Sequence, residues 1–572
     1  MIKNFLLLFA FALLSLAAFS QYPTRYFIQF TDKNNNSYSL SNPSAFLSQR
    51  AIERRTKQNI AVDYNDLPVT QMYIDSLANM GATILHPTKW LNGVTIETLD
   101  TNLLDSILAL AFVVNKSNAV GRRANPHGKA IDTLNFIQKE SMLNASSSQY
   151  SQRMESSNSI NYGYGYNQIH MINGDYLHSL GYMGDGMVIA VLDAGFLNAD
   201  VMSGFDSIRN NNQILGTRNF VADANNDVYL DYLHGCMVLS CMGANWPGMI
   251  VGTAPHASFW LMVTEDVPTE NIIEEYDWAS GAELADSAGA DIITTSLGYT
   301  LFDNPDQNPV YADMNGRWSP ASRAATIAAE KGILVCAAAG NDGGNFTWNH
   351  IGSPADADSI LAVGAVDSSG NYAPFSSLGP SADGRVKPDV ATKGKNATVM
   401  NPNGVPLNPT ANGTSFATPI LAGAAACLWQ AHPTMTNMQI RNAIIQSASQ
   451  YTNPDSLLGY GIPNFALANS ILTGLSYNSP DNLLSVYPNP FTQTFSFDFF
   501  SETNQNIDVT LIDIMGKIID KETHTLINGS INTFKIPSSN NLSNSPSVLS
   551  KGVYILQIKS DSFVFTRKVV KL

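Results

Sequence analysis

Apolar and polar positions follow five successive patterns along the 572 residues. After Lys3, the run from Phe5 to Phe19 is almost unbroken apolar, and Ala18-Phe19-Ser20 places small residues where an export signal is cut. Residues 1–20 therefore read as a signal peptide. So short a run does not comfortably span a bilayer, which takes about 20 residues; a short membrane anchor is the alternative. In residues 21–145, Tyr26–Phe30 and Gly93–Thr98 have the β-branched content and alternation of strands. Between them Val69–Met80 spaces Met72, Ile74, Leu77 and Met80 near a helical period, and Gly81 stops it. A small α+β domain is expected. Residues 146–168 are rich in Ser, Asn, Tyr and Gly without an apolar period, which is the composition of a linker open to proteolysis.

From 169 to 475 the pattern changes. Met187–Leu192, Asp291–Thr295, Ile333–Ala338 and Ile360–Ala365 are short apolar runs bounded by Gly, Asp or Asn, as suits strands buried on both faces of a parallel sheet. Helical stretches such as Asn271–Ala288 and Ser319–Lys331 separate them, giving an α/β fold with helices on both faces. Functional residues in such folds gather at the carboxyl ends of the strands. Residues 476–572 return to period two in Phe495–Phe499 and Ile507–Ile514, with further strands at Gly552–Ile558 and Phe563–Val570, and predict a β-sandwich.

Composition narrows the function classes. Apolar residues make up 44% of the chain, enough for several cores, while charged residues are only 14% against roughly 25% in ordinary soluble domains. A net charge of −15 argues against a nucleic-acid partner, which needs a basic face. No segment after the signal is long and apolar enough to span a membrane, so the mature chain is expected to be exported without a span. Four cysteines, Cys236, Cys241, Cys336 and Cys427, are too few for a disulfide scaffold; Cys236 and Cys241, five apart on a presumed helix, have poor geometry for a bridge and read as buried thiols.

Four positions could carry chemistry. Asp193 closes a predicted strand; on its own it could equally be a turn or cap residue. His234 stands before Gly235 and the apolar Met237-Val238-Leu239, where a structural histidine is the plain alternative. Asn341 ends Ile333–Ala338 through Gly340, placing an amide at a sheet edge. Ser415 lies in Asn412-Gly413-Thr414-Ser415-Phe416-Ala417-Thr418-Pro419, just before a small-residue-rich helix at Ile420–Gln430. It could merely cap that helix, but the helix N-terminus would also direct N–H groups at an oxyanion formed on an attacked carbonyl.

Taken together, these residues and their flanks resemble the subtilase family of serine proteases. The resemblance is carried by Ala190–Gly195, His234-Gly235-x-x-Val238, Gly252-Thr253-Ala254-Pro255, Ala338–Asn341, Phe375–Pro380, Lys387-Pro388-Asp389-Val390 and Gly413–Pro419, in one collinear order. It implies that Ser415 is the nucleophile, His234 the general base and acid, Asp193 the group that orients the imidazole, and Asn341 an oxyanion donor. It further implies that Ser296-Leu297-Gly298 pairs with substrate and forms one wall of its pocket, with Ala338-Ala339-Gly340 opposite. The Asp-His-Ser order and the absence of a Gly-x-Ser-x-Gly elbow argue against an α/β-hydrolase. The family usually has Thr where Cys236 stands, so a more loosely held His234 turn is expected. Ala391-Thr392-Lys393-Gly394 also departs from the family's usual Ala-Pro-Gly.

By the same resemblance, residues 21–145 are a propeptide that blocks the cleft, with a permanent N-terminal domain as alternative. Val486-Tyr487-Pro488-Asn489-Pro490-Phe491, Ile514-Met515-Gly516-Lys517 and Leu549–Tyr554 make residues 476–572 resemble a type IX secretion sorting domain of Gram-negative bacteria. A carbohydrate-binding or adhesive sandwich is the alternative there. No cofactor is required. Calcium is a candidate at Asp223, Asn225 and Asp227, whose oxygen ligands alternate as in calcium loops but without the EF-hand glycine. The reading is a secreted serine endopeptidase, made as a zymogen, whose partners are peptide substrates, its own propeptide and the type IX machinery. Its activity should fall on the acid side near the ordinary His value of about 6.5. An inactive adhesin or binding protein of the same fold, and an esterase or peptide ligase using the same residues, are the rivals.

Overall fold

The computed structural model describes residues 24–117, 120–122, 160–221, 227–230, 232–402 and 407–473. Towards the C-terminus it describes 484–487, 489–492, 494–501, 505–514, 516–526, 530–536, 550–560 and 564–572. The expected signal peptide lies outside these residues, as do positions 146–159 of the expected linker. The chain divides into two compact units at residue 473.

The first unit begins with an antiparallel sheet of β1 (Thr24–Phe30), β2 (Thr83–Thr88), β3 (Gly93–Thr98) and β4 (Val113–Lys116), in the order β2-β3-β1-β4. Helix α1 (Gln49–Lys57) lies between β1 and α2 (Gln71–Asn79), and α3 (Asn102–Leu108) joins β3 to β4. Ile28, Phe30, Ile74, Leu77, Val94 and Ile96 form its core. Within α2 Ile74 and Leu77 are buried as expected and Met80 packs against the core, but Met72 is 53% exposed and Tyr73 turns inward. A phenol ring stacks there on Phe112, which the more flexible thioether could not match.

The larger part of this unit is a seven-stranded parallel sheet. Its strands are β5 (Val188–Asp193), β6 (Ile214–Asn219), β7 (Ser258–Val263), β8 (Ile292–Thr295), β9 (Leu334–Ala338), β10 (Leu361–Val366) and β11 (Val390–Lys393), ordered β11-β10-β9-β8-β5-β7-β6. Both faces are covered, as the continuous apolar runs require. Helices α4 (His234–Gly243) and α7 (Thr414–Ala431) belong to one layer, while α5 (Ile273–Ala288) and α6 (Pro320–Glu330) pack in a separate apolar cluster. Of the expected linker, residues 160–168 are fixed to the core: Tyr162 and Gln168 are buried, and Gln168 exchanges two hydrogen bonds with the Thr398 backbone. This anchoring is polar, which is why no apolar period announces it.

The second unit contains two antiparallel sheets. One joins Leu484–Tyr487, Phe495–Ser501 and Ser530–Ile536, and the other Gln505–Asp513, Ile518–Leu526, Gly552–Lys559 and Val564–Lys571. Phe491, Phe497, Val509, Leu511, Leu556 and Ile558 form its core.

Candidate active site

Asp193 is the last residue of the central strand β5 and is fully buried. Its Oδ1 accepts hydrogen bonds from the Ala194 amide and from His234 Nδ1, both at 2.7 Å. A buried carboxylate demands such partners. His234 is the first residue of α4 and is held by the close approach of that helix start to the strand end. A Cβ on Gly235 would lie 2.4 Å from the Gly195 carbonyl, so only glycine fits. With Nδ1–H donated to Asp193, Nε2 is the basic nitrogen of the ring. Cys236, which stands in this turn, packs its fully buried thiol 3.6 Å from the Met202 sulfur.

Ser415 sits in the first turn of α7, which begins at Thr414 rather than at the expected Ile420. Pro419 obscures this start in the sequence. Lacking an N–H, it cannot bond the carbonyl four residues back, which is that of Ser415. That carbonyl accepts instead from Ser296 Oγ at 2.7 Å, while Ser415 Oγ lies 3.3 Å from the Ser296 carbonyl. The helix tolerates its proline because a neighbouring strand end satisfies the orphaned acceptor. Phe416 places its ring 6.0 Å from the imidazole of His234, so α4 and α7 meet at this point.

Asn341 follows β9 through Gly340, whose φ of +109° and close approach to Ser377 Oγ both require glycine. The Asn341 Oδ1 accepts from Thr414 N at 2.9 Å and from Thr414 Oγ1 at 3.0 Å. Both bonds hold the oxygen end, which leaves Nδ2 as the end that can donate to a substrate oxygen. Thr414, which pattern reading missed, holds the oxygen end of Asn341; its place immediately before Ser415 is the available signal.

Ser296-Leu297-Gly298 and Ala338-Ala339-Gly340 continue the adjacent strands β8 and β9. Between their ends lies the Gly352–Ser353 turn. Gly352 N donates to the Ala339 carbonyl at 3.4 Å, Tyr299 N donates to the Ser353 carbonyl at 2.8 Å, and Ser353 N returns a bond at 3.3 Å. The turn closes the gap between the two expected walls. A Cβ on Gly298 would meet only the Ser353 carbonyl, at 3.9 Å, so that wall is open. The departure after Lys387-Pro388-Asp389 leaves the motif intact: Asp389 accepts from Lys387 Nζ at 2.8 Å and Arg441 Nη2 at 2.6 Å.

Of the calcium candidates, Asp223 and Asn225 lie outside the described residues. The Asp227 Oδ1 accepts from the Tyr229 amide at 3.0 Å. All four cysteines are free and buried, Cys236 and Cys241 as expected.

Comparison with known proteins matches three families along the chain. The Subtilase family covers residues 184–461, a Peptidase S8 propeptide domain of Bacteroidota covers 25–150, and a secretion system C-terminal sorting domain covers 485–572. Subtilisin NAT of Bacillus subtilis subsp. natto is 32% identical over 316 residues, 55% of this chain and 72% of its own length. Subtilisin of Bacillus pumilus is 32% identical over 302 residues, 52% of this chain and 97% of its own. Among solved structures, MycP1 from the ESX-1 type VII secretion system aligns at 22% identity with a TM-score of 0.43, over 57% of this chain and 89% of its own.

Proposed function

The chain belongs to the subtilase family and is a serine endopeptidase with an N-terminal propeptide and a C-terminal secretion sorting domain; from that premise we propose that it hydrolyses peptide bonds through Ser415, His234 and Asp193. The sorting domain and the Bacteroidota-type propeptide address it to type IX secretion. The observation that carries the proposal is the 2.7 Å bond from His234 Nδ1 to buried Asp193, beside the helix start that bears Ser415.

In this reading His234 Nε2 takes the Ser415 hydroxyl proton as Oγ attacks the scissile carbonyl, then delivers it to the leaving amine. Asp193 keeps the imidazole in the working tautomer and stabilises its positive charge. Negative charge on the former carbonyl oxygen is met by Asn341 Nδ2, the Ser415 amide and the positive end of α7. Ser296–Gly298 and Ala338–Gly340 form the walls of the pocket for the side chain before the cleaved bond. Water then hydrolyses the acyl-enzyme by the same route.

We further propose that the enzyme frees itself by cutting within residues 146–168. The Ser415→Ala protein should then accumulate at its unprocessed mass and leave casein intact. A variant that matures to the wild-type mass would assign processing to another protease, and casein hydrolysis by it would remove Ser415 from the mechanism.

A further inference from the structure

Gln168, in the segment that precedes the parallel sheet, is fully buried, and both ends of its amide go to one residue. Its Oε1 accepts from Thr398 N at 2.9 Å, and its Nε2 donates to the Thr398 carbonyl at 3.1 Å. Thr398 Oγ1 adds a bond to the Tyr164 carbonyl at 3.0 Å. The polar groups of one buried position are thus met entirely from residues 164–168.

Thr398 belongs to a two-stranded hairpin of Ala397–Met400 and Leu407–Ala411. Among the described residues no strand lies on the outer edge of Ala397–Met400, so its outward N–H and C=O groups need other partners. Gln168 supplies them at Thr398. On the other flank Ser240 Oγ, from α4, accepts from Met400 N at 2.9 Å. The second strand runs straight into Asn412, Gly413, Thr414 and Ser415. At the base of the hairpin Asn396 N donates to Asn412 Oδ1, and Gly413 N to the Gly394 carbonyl, both at 2.9 Å. A Cβ on Gly394 would lie 2.6 Å from the Gly413 carbonyl, so backbone meets backbone there. A shift of the hairpin is therefore passed on to the start of α7.

We propose that Gln168 is a positioning residue for peptide-bond hydrolysis: it holds the hairpin that sets Thr414 and Ser415 against Asn341. The inference rests on the catalytic roles proposed above. Thr414 bonds Asn341 Oδ1 through its amide and its hydroxyl, so the hairpin bears on both oxyanion donors, Asn341 Nδ2 and the Ser415 amide. Their displacement costs the transition state, where the oxyanion exists, more than the bound substrate. Residues 160–168 are then a working part of the enzyme and stay with it when the propeptide leaves.

The test compares two substitutions on this segment. Gln168→Met keeps the length of the side chain and removes both bonds to Thr398. Tyr162→Phe removes the 2.8 Å bond between the Tyr162 hydroxyl and His178 Nδ1, which anchors the same segment without touching the hairpin. Each should lower the thermal midpoint of the fluorophosphonate-inhibited enzyme by about 2–4 °C. Active enzyme is counted by fluorophosphonate uptake at Ser415, and kinetics on one peptide amide are expressed per labelled site. Gln168→Met should lower kcat about tenfold with KM unchanged, whereas Tyr162→Phe should keep both constants. Parental kcat in Gln168→Met, a change confined to KM, or an equal kcat loss in Tyr162→Phe would overturn the assignment. If Gln168→Met does not mature, Ser240→Ala decides. It releases Met400 N on the other flank and should show the same loss of kcat; parental kcat there would overturn the proposal. A parent that takes up no fluorophosphonate removes the catalytic reading and this one with it, whereas a labelled parent matched by its variants removes this one alone.

Discussion

Pro419 and Thr414 define the chemistry of Ser415 from either side. The proline leaves the Ser415 carbonyl to Ser296, and Thr414 ties the helix start to Asn341 with two bonds. Replacing Asn341 by Ala should lower kcat by about 10²–10³, the range known for loss of the corresponding donor in subtilisin, with little change in KM. Thr414→Val keeps the amide bond to Asn341 but removes the hydroxyl's bonds to Asn341 Oδ1 and to the Gly340 carbonyl and amide, and should cost about tenfold in the same parameter. Steady-state kinetics on one peptide substrate would check both, and a KM effect without a kcat effect would contradict the oxyanion role. Asp193, His234, Asn341 and Ser415 are legible in the sequence because each stands in a short run whose glycines and small residues serve one geometry. Thr414 is not, since a threonine before a helix reads first as a cap.

At the scale of elements, the propeptide-like sheet and the parallel sheet are largely readable from their periods, but their join is not. Helix α1 is charged, QRAIERRTK, and offers no pattern that separates it from a solvated helix. The structure buries its Ala51, Arg54 and Arg55: Arg54 bonds Asp286 at 2.6 Å, Arg55 bonds it at 2.8 Å, and Lys89 at 3.1 Å. Arg55 also bonds Asp66 at 2.7 Å, and Lys331 bonds Asp66 at 3.2 Å. Asp286 lies more than 230 positions from Arg54 and Arg55, so their pairing leaves no local signal. Burial alone would raise the Asp286 pKa, but Lys89, Arg54 and Arg55 outweigh it and hold the carboxyl well below the usual range. Asp286→Ala would strip buried Arg54 of its carboxylate partner and leave Arg55 with Asp66 alone, and should cost about 3–5 kcal/mol in the unprocessed protein. A depressed carboxyl contributes stability above its unfolded value and loses it as pH falls through the folded one. The gap between parent and variant should therefore be constant from pH 8 to 5 and close only below about pH 4. Urea unfolding of the Ser415→Ala background measures it, and a gap that closes between pH 7 and 5 would contradict the clamp.

On the scale of the whole molecule, the proposed sequence of events is sorting and export, a propeptide domain packed against α5, then release of an active endopeptidase. The sorting domain and the propeptide are legible because each repeats a family pattern. The anchoring of residues 160–168 is not, because it rests on polar bonds such as those of Gln168 with Thr398. Everything in this order depends on an activated nucleophile at the start of α7. The most direct measurement exposes the secreted protein to a fluorophosphonate and reads intact and peptide masses beside Ser415→Ala. A single adduct on the Ser415 peptide, absent from the variant, is the predicted result. Correctly processed protein that takes up no adduct at Ser415 would contradict the account.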